Sequence, residues 1–118
     1  MPNPFGAPEV SVQEVNQKRI AAEPQLLVDV REAQEYGVRI SGDDVVMLPL
    51  SELAARQLES IPETLSDKEQ EVVIFCHHGM RSAQATMWFM QQGWTNVKSM
   101  DGGIDAWANE VDPSIGTY

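Results

Sequence analysis

The segment Cys76-His77-His78-Gly79-Met80-Arg81-Ser82 puts a nucleophile, two imidazoles, a glycine, a permanent cation and a hydroxyl within seven residues. If it joins a strand to a helix, the short loop aims several backbone N–H groups at one point. The helix dipole adds positive potential there. Such a cradle binds an anion and favours the thiolate, which is the reactive form of cysteine. Arg81 adds a forked donor for an oxyanion, and Gly79 allows a backbone conformation barred to bulkier residues. A cysteine at a strand end is more often a small buried hydrophobe. The Gly, Arg and Ser beside Cys76 tip the balance toward chemistry.

The flanking sequence predicts the elements that would position this loop. Glu71 to Phe75 is an apolar run that reads as a buried strand delivering Cys76 at its C-terminal end, and Arg81 to Gln92 reads as the following helix, closed at Gly93. Ala83, Met87 and Met90 are its apolar positions. Leu26 to Val30 and Val45 to Leu48 are two more strand candidates, and Asn96 to Met100 is a weaker one. Ser11 and Glu14 have capping-box spacing for a helix from Val12 to about Ala22. Arg31 to Tyr36 suggests a short helix. Ser51 is placed to cap a helix through about Glu59, and a last helix runs from Ile104 to Asn109. Strands alternating with helices predict an α/β fold: one domain with a mainly parallel sheet flanked by helices on both faces. In such a sheet, ligands bind beyond the strand C-termini.

Length and charge set the outer limits. The 118 residues fit one domain, spanning 1–118, with a recognisable core of about 9–110 and terminal extensions at 1–7 and 111–118. Eight basic residues against 18 acidic ones give a net charge of −10, which argues against nucleic acid and anionic membranes as partners. No stretch approaches the ~18 apolar residues of a membrane span, and the N-terminus lacks a signal-peptide pattern. A reducing cytoplasm is the expected location. The single cysteine excludes an intramolecular disulfide and a four-thiolate zinc site.

Three segments resemble the signatures of rhodanese-like domains. Leu27-Val28-Asp29-Val30-Arg31-Glu32 with Glu35-Tyr36 is similar to their N-terminal signature, Cys76 to Ser82 to their active-site loop, and Gly102-Gly103-Ile104-Asp105-Ala106-Trp107 to their C-terminal signature. Pro49-Leu50-Ser51-Glu52-Leu53 matches the segment after the second strand. The stretch Gly37 to Gly42 departs from the family's usual His-Ile-Pro-Gly. Cys76 through Arg81 spans six residues, a length that in this family accompanies sulfurtransferases, whereas related phosphatases and arsenate reductases have one more. The resemblance implies a thiosulfate sulfurtransferase of rhodanese type with no cofactor beyond a covalent persulfide on Cys76. The loop His77, His78, Gly79, Met80, Arg81 and Ser82 would hold the sulfur, and Asp29 and Arg31 would support it. The donor would be a small sulfur-bearing anion such as thiosulfate, and the acceptor cyanide, a thiol or a protein.

Other readings stay open on the residues themselves. A non-catalytic rhodanese-like binding module would form no persulfide, a small Cys-dependent phosphatase would hydrolyse aryl phosphates, and a redox thiol would need a partner's thiol. No metal is expected: one thiolate and two adjacent imidazoles supply at most three ligands, and sequence neighbours rarely point to one centre. One histidine is expected to line the pocket mouth and to add positive charge when protonated. Glu32 and Glu35 are expected to cap or solvate the short helix after Arg31. Met80 and Trp107 could form pocket wall, with a core role at least as good a fit for Trp107.

Overall fold

A computed structural model describes residues 3–118; the lead-in residues Met1 and Pro2 lie outside the described residues. Among these, five parallel strands form one sheet: β1 Glu9–Val10, β2 Leu26–Asp29, β3 Val45–Met47, β4 Val72–Phe75 and β5 Val97–Met100, in the order β1-β5-β4-β2-β3. Four α-helices accompany them: α1 Val12–Ile20, α2 Leu50–Arg56, α3 Met80–Gln91 and α4 Gly103–Glu110.

β4 explains the architecture in miniature. All four of its side chains are buried, and they alternate between two cores as a strand covered on both faces must. Val72 and Ile74 pack with Leu53 of α2 and with Ala85 and Phe89 of α3. Val73 and Phe75 pack on the other face, with Val12 and Val15 of α1 and with Ile104 and Trp107 of α4. The predicted fold class is the observed one. After β3 the chain returns to the opposite side of β2, so strand order reverses between β2 and β4. The crevice at such a switch point is the natural ligand site of an open parallel sheet. Here it receives the ends of β2, leading to Arg31, and β4, leading to Cys76.

Several local expectations are corrected. Ser51 does not cap α2, which begins after Pro49; its amide and hydroxyl both bond to the carboxylate of Glu32 instead. The segment after Arg31 is a single 3-10 turn, Ala33–Glu35. The buried stripe of α3 is Ser82, Ala83, Ala85, Thr86 and Phe89, while Met90 is exposed. Two buried hydroxyls thus lie on a face where methionines were expected, next to the loop. Edge strand β1 was not anticipated, because two half-buried residues carry no periodicity. Ser11 does accept a hydrogen bond from the amide of Glu14, as the capping spacing implies.

Candidate active site

Cys76 leaves β4 and enters a loop held from behind by α4. The amides of Ile104 and Asp105 donate to the carbonyls of Cys76 and His77 at 2.8 and 3.1 Å. That approach requires Gly103: a Cβ there would lie 2.5 Å from both carbonyl oxygens, and its φ is +61°. In front, the amides of Gly79 and Ser82 donate to Cys76 Sγ at 3.1 and 3.3 Å.

Gly79 is the N-cap of α3 and has no side chain with which to satisfy the helix's first amides. Cys76 Sγ takes that place, accepting from the amide at the third helical position. The sulfur is therefore the cap of α3 and the focus of its dipole. Gly79 reaches this geometry at φ +111°. Ser82 Oγ lies 3.5 Å from Sγ, bonds the carbonyl of Gly79 at 3.1 Å and meets Ser99 Oγ of β5 at 2.8 Å. Cys76 is only 1% exposed.

Arg81 is not free. Its two terminal nitrogens donate to the carboxylate of Glu35 at 2.7 and 2.8 Å. The Arg81 guanidinium holds the Glu35 carboxyl at about 2, with burial opposing, and Glu35 in turn raises Arg81. Glu35 also accepts from the amide of Glu32 and from the hydroxyl of Tyr118, each at 2.9 Å. Glu32 and Glu35 do cap the short helix reciprocally, as expected, and Glu35 adds the ion pair with Arg81. Burial, with the bond to Glu35, keeps the Tyr118 hydroxyl protonated above its ordinary range.

Arg31 is fully buried and clamps Asp29 through Nε and Nη2. It also donates to the carbonyl of Glu35 at 2.9 Å and to the Tyr118 hydroxyl at 3.1 Å. The Asp29–Arg31 pair therefore supports the turn that presents Glu35, one contact removed from Arg81.

The two histidines stack in a row with Tyr118. His77 is sandwiched between His78, with ring centroids 3.9 Å apart, and Tyr118, at 3.8 Å. His78 Nδ1 lies 3.8 Å from the Asp105 carboxylate. Ligand-capable atoms of His77, His78 and Asp105 lie within 4.8 Å of one another, a third member that reasoning from adjacent imidazoles did not include. Met80 is exposed and Trp107 is buried in the core, with the Arg19 guanidinium 5.7 Å over its ring.

The loop carries no acid of its own, yet the fold brings Glu35 and Asp105 to it. Glu35, Ser99 and Tyr118 were missed as site residues. For Glu35 the available signal was its place in the Asp29-to-Tyr36 signature; for Tyr118 there was none.

Comparison with known proteins points the same way. The rhodanese-like domain profile matches residues 11–110. A sulfurtransferase from Allochromatium vinosum is 36% identical over 107 residues, covering 91% of this chain and 94% of that one. A human single-domain sulfurtransferase structure shares 29% identity with a TM-score of 0.71, covering 89% of this chain and 98% of the other. An adenylyltransferase and sulfurtransferase from Arabidopsis thaliana is 29% identical, but the chain spans only 24% of its length. Among the described residues, no helix is long and apolar enough to cross a membrane.

Proposed function

The chain belongs to the rhodanese-like domain family, and from that premise we propose that it moves sulfane sulfur through a persulfide on Cys76. The observation that carries this is the placement of Sγ as the cap of α3, with the amides of Gly79 and Ser82 aimed at it. In the first half-reaction the Cys76 thiolate attacks the outer sulfur of an anionic donor such as thiosulfate. The new Sγ–S bond forms as the donor's S–S bond breaks, and sulfite leaves with the electron pair. In the second, a thiolate or cyanide attacks the outer sulfur of the persulfide, and Sγ departs as thiolate. No net oxidation occurs and no external redox partner is needed.

A covalent intermediate divides one transfer into two and implies ping-pong kinetics. The amides that cap onto Sγ are placed to stabilise the departing thiolate as an oxyanion hole stabilises oxygen. Arg81 would receive the anionic end of the donor through the N–H groups that Glu35 leaves unused. The single cysteine means that the sulfur must end on another molecule.

The test is intact mass after incubation with thiosulfate. One added sulfur atom is expected on the wild type and none on Cys76→Ser. A wild type that takes up no sulfur, or a Cys76→Ser variant that takes up as much, overturns the assignment.

A further inference from the structure

The last residues of the chain turn back onto the site. Ile115 packs against the core face that holds Trp107, and Gly116 follows at φ +83°, a conformation that favours glycine. Two residues later Tyr118 lays its ring on His77, the neighbour of the nucleophile, nearly parallel at 9°. Its hydroxyl bridges Arg31 and Glu35, and Glu35 holds Arg81. The Arg31 guanidinium also sits 5.6 Å over the Tyr118 ring.

Two further facts bear on this closure. Cys76 is almost wholly shielded, so a donor reaches it only by displacing something at the rim. His77 Nε2 is buried without a hydrogen-bond partner. The segment is thus pinned by a stack and a hydroxyl bridge and has a glycine at its base.

We propose that Tyr118 is the residue that selects sulfur donors by size. The ring on His77 narrows the approach to Cys76, so that a small inorganic donor needs only a slight displacement. A donor carrying its sulfur on glutathione or a peptide must lift the ring fully, turning the chain about Gly116. The proposal rests on the sulfurtransferase reading for its substrate class, whereas the gate itself can be read without sulfur transfer.

The experiment measures Cys76 alkylation by two neutral reagents, compact iodoacetamide and bulkier N-ethylmaleimide, in wild type, Tyr118→Ala and Tyr118→Phe. In Tyr118→Ala the maleimide-to-iodoacetamide rate ratio is expected to rise about fivefold, the shift that follows loss of one aromatic stacking contact. Tyr118→Phe keeps the ring, loses the hydroxyl bridge, and should fall between the other two. The ratio of kcat/KM for glutathione persulfide over thiosulfate should rise in the same order. Equal acceleration of both alkylating reagents, or an unchanged ratio, overturns the gate whatever the sulfur assays give. Absence of any sulfur adduct on the wild type overturns the sulfurtransferase reading and leaves the alkylation result standing.

Discussion

Removing Arg81 does more than delete a cation, because it leaves a carboxylate behind. Glu35 keeps two of its partners, the amide of Glu32 and the hydroxyl of Tyr118, when the guanidinium is gone. In Arg81→Ala a bare negative charge therefore stays at the mouth of the Cys76 loop. At about 8 Å, its repulsion of a monoanion is about 0.5 kcal/mol in bulk water and about 2 kcal/mol at an effective dielectric of about 20. That is a factor of about 2 to 30 in rate. Both side chains are partly exposed, so the lower half of that range is the better expectation. The assay is alkylation of Cys76 by iodoacetate relative to iodoacetamide, two reagents of similar size that differ in charge. The ratio should follow the net charge of the pair: highest in Glu35→Gln, equal in wild type and Arg81→Ala/Glu35→Gln, lowest in Arg81→Ala. The spread should shrink at about 1 M salt. A double variant no faster with iodoacetate than Arg81→Ala, or a spread indifferent to salt, refutes the reasoning.

Three other outcomes follow from the same geometry. The Glu35 carboxyl sits at about 2 against an ordinary 4.5, so its ion pair stabilises the fold fully above the unfolded value and loses this as pH falls through about 2. The melting-temperature gap between wild type and Glu35→Gln should be flat from about pH 8 to about pH 5 and close below about pH 4. Ser82→Ala strips buried Ser99 Oγ of its partner, costing about 1–3 kcal/mol, or about 4–12 °C for a chain of this length. Ser82→Ala/Ser99→Ala should lose less than the sum of the single variants, and an additive loss would remove the coupling. Gly103→Ala drives a methyl into the carbonyls of Cys76 and His77; a melting point lower by about 4–12 °C and slower Cys76 alkylation at neutral pH are expected, and an unchanged alkylation rate counts against α4 as the loop's support.

What the sequence made legible was whatever follows from local pattern. Val72 to Phe75 is short and apolar, three β-branched residues followed by an aromatic one, and it forms the central strand on which Cys76 sits. Gly93 closes α3 in the left-handed conformation that its position implied. What escaped depends on contacts between distant segments. Nothing in the spacing of Glu35 and Arg81 marks them as partners 46 residues apart. No acid lies between Cys76 and Ser82 along the chain, yet Glu35 and Asp105 meet the loop in space. Tyr118 lies beyond the residues 11–110 that the family profile covers, where no motif could flag it. Its role arises because Arg31, Glu35 and His77 converge at the switch-point crevice and leave a surface that an aromatic ring with a hydroxyl fits.

The two glycine-led helices act on the loop in opposite senses, and trans peptide geometry connects them. In a trans peptide the C=O and the following N–H point in opposite directions. When α4 draws the carbonyls of Cys76 and His77 onto the amides of Ile104 and Asp105, it turns the amides of His77 and His78 away from itself. The first free amides of α4 are thereby used on backbone, which fixes the loop. Those of α3, whose glycine cap has nothing to offer, are left for the sulfur. One helix terminus orients and the other binds, which explains why a Gly-Gly signature some 26 residues after the nucleophile, Gly102-Gly103, belongs to the same site. On this account a substitution at Gly103 acts on the Cys76 sulfur by pushing against the backbone carbonyls of Cys76 and His77, whereas a substitution at Gly79 disturbs both the cap and the loop at once.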